Sequence, residues 1–428
     1  MTVTPITGIE DVNLGDIAFW GRPPQDRATA FRLLREHPTP VRFPEPKSPW
    51  AESGPGYYAL VRHADVSEAN RNAEVFSSEP SALTITDMPP EFNEFFGSLV
   101  NMDDPRHASI RRIVSSSFSP RMMRRLTGDI ERIAAEVVSD LSDALATSGP
   151  RDFVAEVSSR VPLLVILDMM GIPRSHYPTV LECSNVIAAG DDPELLGATQ
   201  TEQEAAYLQA ASVLAELMAD IGAQRRATPT GDLTSALVNA GQDGQRFTDQ
   251  ELSSFFIFLI VAGNETVRTA LSHGLELLTD NPDQRALLTA DLDDRLPGAV
   301  EEILRLSSPA IWMRRTVTRD HELGGRTYIK GDKLVLYYWS ANRDEKVFER
   351  PEEFDILRSP NPHLSFGGGP HFCLGAHLAR LEMTVLFREL FTRIPGIRSV
   401  GEPDQVLSGF FNGMKRLTCD TVGERTGS

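Results

Sequence analysis

The sequence predicts one large, mainly α-helical domain with a minor β portion, covering residues 1–428. Apolar residues recur with helical period through the middle of the chain, most clearly over residues 130–145. Strand-like runs are few and short, and neither a change in composition nor a low-complexity tract divides the chain. Residues 1–50 are broken by prolines, so we expect an irregular lead-in there, with one short helix over 28–37.

The composition excludes several kinds of partner and location. The formal net charge of −18 argues against nucleic acid and anionic membrane surfaces, which both attract basic proteins. Cys183, Cys373 and Cys419 form a sparse, odd set without paired spacing, which is typical of a reducing compartment. The N-terminus shows no apolar signal segment, and no run approaches the roughly 18 apolar residues of a membrane span. We expect a soluble, cytoplasmic, monomeric protein.

The first half of the chain alternates short elements with one long loop. Residues 57–61 are typical of a strand, and residues 65–72 of a short helix. Residues 77–104 mix prolines with aromatic residues and predict a long loop with a functional role, although its aromatics are equally suited to covering a core. Residues 176–227 predict two helices separated by a Gly-Asp-Asp-Pro break at 190–193.

The longest helical pattern covers about residues 248–280. Thr248 and Glu251 have the spacing of a capping box, in which each side chain satisfies the other residue's backbone N–H. Residues 255–262 are apolar on every side, which is typical of a helix that runs through a core. The same patterns predict helices over 153–170, 232–239 and 297–306, and strands over 315–317, 328–329 and 333–339. Residues 340–372 have little regular pattern.

A cysteine in a glycine-rich run is the first candidate for chemistry. Residues 366–375 read Phe-Gly-Gly-Gly-Pro-His-Phe-Cys-Leu-Gly and precede a helical pattern. Glycines allow close backbone approach and left-handed conformations, and a helix N-terminus stabilises a thiolate. The run therefore suits an anionic sulfur, Cys373, that binds a metal on a tight loop. An inert, buried cysteine is the alternative.

A second candidate lies inside the core helix, at residues 262–266 (Ala-Gly-Asn-Glu-Thr). Gly263 costs a helix about 1 kcal/mol relative to alanine, so a packing or ligand reason is indicated. Thr266 can bond a small molecule or open the helix ladder, and Glu265 can relay protons. The alternative is a Glu265 on the wet face of the helix with Thr266 in the core.

These two runs resemble motifs of the cytochrome P450 superfamily. The loop fits Phe-Gly-x-Gly-x-His-x-Cys-x-Gly, and the helix fits Ala/Gly-Gly-x-Asp/Glu-Thr. The resemblance extends from about residue 57 to the C-terminus and implies the cytochrome P450 fold. It also implies that Cys373 is the axial ligand of a haem b iron and that Gly263 leaves room for O₂. Glu265 and Thr266 would be the acid–alcohol pair that supplies protons, and Phe366 would shield the sulfur.

Two further elements match the same family in the family's order. Glu302 and Arg305 fill its Glu-x-x-Arg motif, a structural pair completed by an arginine that is here either Arg343 or Arg358. By residue spacing alone, the pair is equally an exposed i, i+3 ion pair of little energy.

The remaining matches concern the haem propionates, which need charge-assisted donors. His107 and Arg111 lie one turn apart after Pro105, and the family's corresponding residues hold one propionate. Arg315 and His371 match the positions that hold the other. Each of these basic residues, taken alone, is more typical of a surface charge.

The substrate pocket is predicted from apolar residues of the irregular stretches and the core helix, and Met313 beside them. They contain no charge, which favours an apolar substrate, although core packing explains each residue equally well. The candidates are Phe95, Phe96, Val186, Ile187, Leu259, Val261, Ala262, Ala310, Ile311, Trp312 and Phe411.

A narrower resemblance concerns the substrate. Residues 96–99, 168–173, 261–266 and 340–345 are similar to an actinobacterial branch that hydroxylates methyl-branched lipids and sterol side chains at terminal carbons. This implies terminal (omega) hydroxylation of a methyl-branched lipid or isoprenoid. The alternatives are a sterol, steroid or terpenoid hydroxylase, a peroxide-driven oxygenase, and a non-catalytic haem protein that binds gas or lipid.

The resemblance also implies an electron donor. Electrons would come from NAD(P)H through a ferredoxin reductase and a small acidic ferredoxin. Complementary charge would steer that ferredoxin to a basic face. The arginines of this face are Arg111, Arg112, Arg121, Arg124 and Arg125. A solvated basic surface without a partner is the alternative.

Overall fold

A computed structural model describes residues 5–48, 51–115, 118, 120–190, 192–197, 199–239 and 247–421. The α-helices are α1 (Ile17–Trp20), α2 (Pro24–Glu36), α3 (His63–Arg71), α4 (Pro90–Gly97), α5 (Arg106–Ser115), α6 (Pro120–Ser148), α7 (Arg160–Met170), α8 (Tyr177–Ile187), α9 (Pro193–Leu196), α10 (Gln200–Ala227), α11 (Leu233–Asn239), α12 (Asp249–Ile260), α13 (Thr266–Asp280), α14 (Pro282–Ala290), α15 (Leu292–Ser307), α16 (Tyr338–Ala341) and α17 (Ala376–Arg393).

The strands are short and lie in small sheets. They are β1 (Val41–Phe43), β2 (Tyr57–Leu60), β3 (Phe76–Ser77), β4 (Arg151–Asp152), β5 (Trp312–Val317), β6 (His321–Leu323), β7 (Arg326–Tyr328), β8 (Lys333–Tyr337), β9 (Ile397–Ser399), β10 (Asp404–Gln405), β11 (Met414–Arg416) and β12 (Thr418–Thr421). The mainly helical architecture with a minor β portion is confirmed.

The main core forms where helices cross near the middle of the molecule. Buried apolar residues of α6, α7, α12, α13, α15 and α17 make one continuous cluster. Within it, α13 packs against α15 and α17, and α17 packs against α6. The apolar stripe of α17, which includes Met383, Leu386 and Leu390, is fully buried there. Consequently α17 and the loop before it are held firmly beneath the central helix.

The predicted central helix is present, with one local irregularity. Thr248 and Glu251 form the expected capping box, with bonds of 3.0 and 3.1 Å between each backbone N–H and the other side chain. The helix runs from Asp249 to Asp280, but residues Val261–Glu265 form a π-helical turn between α12 and α13. Such single turns are frequent at functional sites, because the extra residue opens the backbone ladder.

The central helix also bears on the question of a membrane span. By length and mean hydropathy, Asp249–Asp280 is the one helix of the described residues that is able to cross a membrane. Its most apolar window is 67% buried inside the protein. This burial is typical of a helix that runs through the core of a globular domain.

The largest sheet has the strand order β1-β2-β8-β5-β3. The β2–β8 pair is parallel and the other pairs are antiparallel, with Arg315 opposite Leu334 in the β5–β8 register. The smaller sheets are β4-β12-β9, β10-β11 and β6-β7. The strand β5 begins three residues earlier than predicted. Its side chains alternate from that first residue onward, and this alternation determines which of them face the site.

Two stretches differ from the expected irregular structure. In the lead-in, Ala30, Phe31 and Leu34 share one face of the thirteen-residue helix α2 and pack on the large sheet, so this stretch is an ordered part of the domain. In the predicted loop 77–104, α4 forms with Pro90 at its first position, where proline's missing N–H costs nothing.

Candidate functional site

The Cys373 loop is shaped by glycines that cannot be replaced without strain. Gly369 has φ +63°, and a Cβ on it would lie 2.1 Å from the backbone oxygen of Asn70 in α3. Gly367 also adopts a left-handed conformation, with φ +67°. The backbone N–H of Cys373 donates to the carbonyl of Phe366 at 2.9 Å, which closes the loop. Helix α17 begins three residues after the cysteine.

The Cys373 side chain lies below the protein surface, and its exposed area faces a cavity of which it forms part of the wall. Burial among the surrounding atoms raises the pKa of the thiol, while the backbone N–H of Gly375 and the charges of Arg111 and Arg380 oppose the rise. Phe366 lies beside the loop with the guanidinium of Arg380 over its ring, 4.4 Å from the centroid. The positive charges of Arg111 and Arg380 therefore act on the sulfur, and the Phe366 ring lies against one of these guanidinium groups.

The central helix forms the opposite wall. Val261, Ala262, Gly263 and Thr266 line the cavity across from the cysteine loop. The Thr266 hydroxyl donates to the carbonyl of Ala262 at 2.6 Å, within the π-helical turn. Gly263 has a packing role as well as a place on the wall, because a Cβ there would lie 2.9 Å from Cδ1 of Ile166 in α7.

Glu265 is directed away from the cavity. It is 3% exposed and absent from the cavity wall, and its Oε2 lies 3.2 Å from Nη1 of Arg268. The structure therefore brings Thr266 to the cavity but holds the Glu265 carboxylate behind it. The exposed glutamate that was the alternative expectation is excluded by this burial.

Four basic residues converge at one edge of the cavity. The rings of His107 and His371 lie against each other at an angle of 36°, with centroids 4.2 Å apart. Arg111 donates from Nη2 to the carbonyl of Phe372 at 2.6 Å, and Arg111, Arg315 and His371 all line the cavity. His371 Nε2 lies 3.0 Å from the hydroxyl of Ser78, a partner that the sequence analysis did not identify.

This edge has the chemistry that a carboxylate needs. His107 is 2% exposed, and its Nε2 has no hydrogen-bond partner among the described residues. Burial, followed by the charge of Arg315, lowers the pKa of His371 to about 2, and burial also lowers the pKa of His107. A buried imidazole whose Nε2 is unpaired and whose Nδ1 lies 3.4 Å from Asp104, beside guanidinium groups, would suit the propionates of a haem.

The cavity has a volume of about 430 Å³ and an apolar far wall. Seven of the predicted pocket residues line it: Phe96, Ile187, Leu259, Val261, Ala262, Ala310 and Phe411. Its two arginines, Arg111 and Arg315, and its buried acid, Glu382, belong to elements around the cysteine loop. Hydroxyl groups of the far wall are used internally; for example, that of Ser408 accepts bonds from two backbone N–H groups.

Four predicted pocket residues lie outside the wall: Phe95, Val186, Ile311 and Trp312. Side chains alternate along β5, so Met313 and Arg315 face the cavity while Trp312 faces the opposite side. There the Trp312 indole donates to the carbonyl of Gly409 at 2.8 Å. Ile311 is buried with Trp312 in a separate apolar cluster between α2 and the large sheet, and Val186 and Phe95 pack against the main core.

Further residues of the wall were not among the pocket residues predicted from the sequence. Met169, Tyr338 and Glu382 line the cavity. Met313, which was considered beside the pocket candidates, lines it as well. Burial raises the pKa of Glu382 well above its usual value, and its Oε2 has no partner among the described residues. The sequence spacing could have predicted this position. Leu378, Glu382 and Val385 share one face of α17, and an acidic residue on that apolar face is unusual.

The Glu302–Arg305 pair is fully buried, with two bonds of 2.8 Å. Arg358 completes it, because its Nε lies within 3.2 Å of both carboxylate oxygens of Glu302. Arg343 instead pairs with Glu352 at 3.1 Å and lies over the Trp339 ring. The choice between the two arginines is thereby resolved in favour of Arg358.

The expected basic face is only partly visible. Arg112 and Arg124 are exposed, whereas Arg111 reaches into the cavity edge. The side chains of Arg121 and Arg125 lie outside the part of the structure that is described.

Comparisons with known proteins agree with this geometry. The sequence profile of the family described as Cytochrome P450 matches residues 59–393. A methyl-branched lipid omega-hydroxylase of Mycobacterium tuberculosis is 42% identical over 97% of this chain and 96% of its own length. A steroid C26-monooxygenase of Mycolicibacterium smegmatis is 36% identical over 86% of this chain and 84% of its own.

A solved structure extends the similarity to the whole fold. A Mycobacterium marinum cytochrome P450 in complex with pseudoionone superposes with a TM-score of 0.91 and 38% identity. The match covers 98% of this chain and all of the other. On the profile match, the relatives and the shared fold, this chain belongs to the cytochrome P450 family of haem-dependent monooxygenases.

Proposed function

We propose that this enzyme hydroxylates a terminal methyl carbon of a methyl-branched lipid or isoprenoid chain. The observation that carries the proposal is a single cavity with two unlike sides. Cys373 and the basic edge lie on one side, and an apolar wall with Thr266 lies on the other. A chain end that carries no charge can enter such a wall without the cost of desolvating an ion.

The cofactor would be held by residues of the first side. Cys373 would bind the haem iron, while His107, Arg111, Arg315 and His371 would hold the propionates. When bound, the haem supplies the activation of O₂ and the insertion of one oxygen atom into a C–H bond. The protein contributes orientation, the exclusion of water and the supply of protons.

Proton supply is assigned to the central helix. Thr266 presents its hydroxyl at the cavity wall, in the π-helical turn whose backbone bonds are already disturbed. Glu265 lies one residue earlier and behind the wall, where it would pass protons to the Thr266 side. A hydroxyl on the cavity wall and a carboxylate behind it suit a proton relay, because protons can pass between them while solvent is kept away from the reacting carbon.

The choice of substrate rests on the relatives. The protein named methyl-branched lipid omega-hydroxylase shares 42% identity over nearly the whole chain, which supports terminal oxidation of a branched chain. Terminal C–H bonds are stronger than internal ones, so the cavity would have to present the chain end to the iron. The steroid C26-monooxygenases, at 36% identity, support oxidation of a steroid side chain as the second candidate.

The test is an optical titration followed by identification of the product. Methyl-branched fatty acids and isoprenoids, a steroid with its side chain, and short terpenoids are each titrated into the haem enzyme. We expect a spectral shift and a terminal alcohol from the branched chain. Oxidation at an internal carbon would contradict the proposal, and a product from the steroid alone would favour the second candidate.

A pair of variants links that result to the cavity. Ala310→Phe adds a ring to the wall, whereas the neighbouring Ile311→Val changes a residue buried outside it. Ala310→Phe should weaken binding of the branched chain at least about tenfold, which corresponds to about 1.4 kcal/mol, while Ile311→Val should bind normally. Equal effects would show that the chain does not lie along this wall.

The electron donor is proposed to be a ferredoxin that docks beside the cysteine loop. Arg112 and Arg124 are exposed on α5 and α6, and an acidic partner would be steered to them. Arg112→Glu and Arg124→Glu should slow reduction by ferredoxin, and added salt should slow reduction of the wild type. Arg32→Glu, at an exposed position of α2, is the control. Reduction that is unaffected by these changes would contradict the docking site.

We place the enzyme in the cytoplasm as a monomer. Gel filtration with light scattering would check the oligomeric state.

A further inference from the structure

We propose that Arg268 is a positioning residue for Glu265. It keeps the carboxylate ionised and directed away from the cavity, and Asn185 of α8 in turn anchors Arg268. The inference rests on the proposed function, in which Glu265 supplies protons to the Thr266 side of the cavity. Its consequence is that the proton supply depends on a buried ion pair outside the cavity wall.

Arg268 makes contacts with three different elements of the fold. Its Nη1 lies 3.2 Å from Glu265 Oε2 and 2.7 Å from Asn185 Oδ1. Its Nη2 donates to the carbonyl of Met414 at 3.4 Å. The guanidinium therefore joins the central helix to α8 and to β11, and its position is set from three sides.

Burial gives the ion pair its strength. The side chains of Arg268 and Glu265 are 9% and 4% exposed. An exposed i, i+3 pair contributes less than about 1 kcal/mol, but removing one member of a buried pair leaves a charge without compensation. Without Arg268, the Glu265 carboxylate would lie buried behind the apolar wall without the guanidinium that faces it.

Buried polar atoms without partners surround this pair. Among the described residues, Arg268 Nε, Thr269 Oγ1 and Asn264 Oδ1 are buried and make no hydrogen bond. Buried polar groups of this kind are normally satisfied by ordered water. A chain of such waters along this side of the helix would bring protons to Glu265.

A glycine keeps this space open. A Cβ on Gly413 would lie 3.2 Å from Glu265 Oε1 and 3.7 Å from Thr269 Oγ1. Oε1 of the carboxylate therefore faces a small space bordered by Gly413 and Thr269, while Oε2 is held by Arg268. One oxygen is fixed and the other remains available for a proton.

The first test reads the protonation state directly. In Arg268→Ala the unpaired, buried carboxylate should take up a proton, since desolvation favours the neutral acid. An infrared carboxylic-acid band that shifts in D₂O should appear in Arg268→Ala. The wild type, in which Glu382 already holds a proton, and the double variant with Glu265→Gln should both lack this additional band. A spectrum like that of the wild type would overturn the proposal.

The second test reads the proton step. Product formation in Arg268→Ala should fall at least about tenfold, and its solvent isotope effect should rise, because a displaced proton donor makes proton transfer slow. Arg268→Lys should restore part of the rate, and Asn185→Ala should show a smaller loss of the same kind. Arg226→Ala removes an exposed pair with Asp249 and should leave both readouts unchanged.

The two proposals fail separately. If Glu265→Gln lowers product formation while Arg268→Ala leaves the isotope effect unchanged, the positioning role is wrong and the relay stands. If Glu265→Gln changes neither readout, the relay itself is wrong, and this inference falls with it. If Arg268→Ala does not fold, Arg268→Lys and Asn185→Ala decide by the same two readouts.

Discussion

The Nε of Arg358 lies 3.0 and 3.2 Å from the two carboxylate oxygens of Glu302, whose side chain has no solvent exposure. Arg305 donates two further bonds to the same carboxylate. Burial alone would raise the pKa of Glu302, but the bonds and charge of Arg305, with help from Arg358, lower it. The segment before the cysteine loop is thereby fastened to α15.

The first prediction concerns this network. Arg358→Met should lower the free energy of unfolding by about 3–5 kcal/mol, because it removes a partner of a fully buried carboxylate. The control, Arg32→Met, breaks an exposed i, i+4 pair with Glu36 and should cost less than about 1 kcal/mol. Urea unfolding followed by circular dichroism compares them. Equal losses would show that the buried network does not hold the fold.

The second prediction concerns the imidazole of His107. His107→Phe keeps a ring of similar shape but removes the buried donor, so haem should be lost about tenfold to a hundredfold faster. This corresponds to about 1.5–3 kcal/mol for a hydrogen bond to a charged group. The measurement is transfer of haem to an excess of an apo-acceptor protein. His377→Phe changes an exposed histidine of α17 and serves as control; retention unaltered by His107→Phe would contradict the propionate assignment.

The third prediction concerns Glu382. Burial raises the pKa of this carboxyl, so the folded protein keeps a proton that the unfolded chain releases above about pH 4.5. Because the folded state then binds more protons, stability should fall as pH rises above 4.5, by up to about 1.4 kcal/mol per pH unit.

The variant Glu382→Gln isolates this effect, since glutamine resembles the protonated acid. Its stability relative to the wild type should increase between pH 4.5 and pH 8, measured as unfolding midpoints in urea. Glu36→Gln, at an exposed position, should give a difference that does not change with pH. A flat difference for Glu382→Gln would mean that the carboxyl is ionised in the folded protein.

The fourth prediction concerns Thr266. Thr266→Ala should lower the product formed per electron consumed by about tenfold or more, because the hydroxyl at the cavity is lost. Thr279→Ala is a matched control in the same helix. Its hydroxyl makes the equivalent bond, 2.7 Å to the carbonyl four residues earlier, but lies away from the cavity. Unchanged coupling in Thr266→Ala would remove Thr266 from the proton supply.

The parts of the site that the sequence predicts are those set by local rules. The cysteine loop is local, because Gly367 and Gly369 are required by their own left-handed conformations. The caps and apolar periodicity of the central helix are local as well, and Thr248 and Glu251 form the predicted capping box. Such features depend on neighbours within a few residues, which the sequence lists directly.

Other features depended on information that periodicity does not carry. The prediction started β5 at residue 315, so the alternation of side chains along the strand was not recognised. The strand begins at Trp312, and its alternation places Met313 and Arg315 on one face. Arg343 and Arg358 lie in a segment without regular pattern, so no rule gave their directions. The π-helical turn changes the faces of the central helix, and it left Glu265 behind the wall and Thr266 on it.

The roles assigned to the other residues of the site depend on Cys373 binding the haem iron through its thiolate. The most direct measurement is the absorption spectrum of the reduced carbonyl complex of the wild type and of Cys373→Ser, with Cys183→Ser as control. Wild type and control should show the spectrum of thiolate ligation, and Cys373→Ser should lose it while circular dichroism shows the same helical content. A thiolate-type spectrum retained by Cys373→Ser would contradict the account.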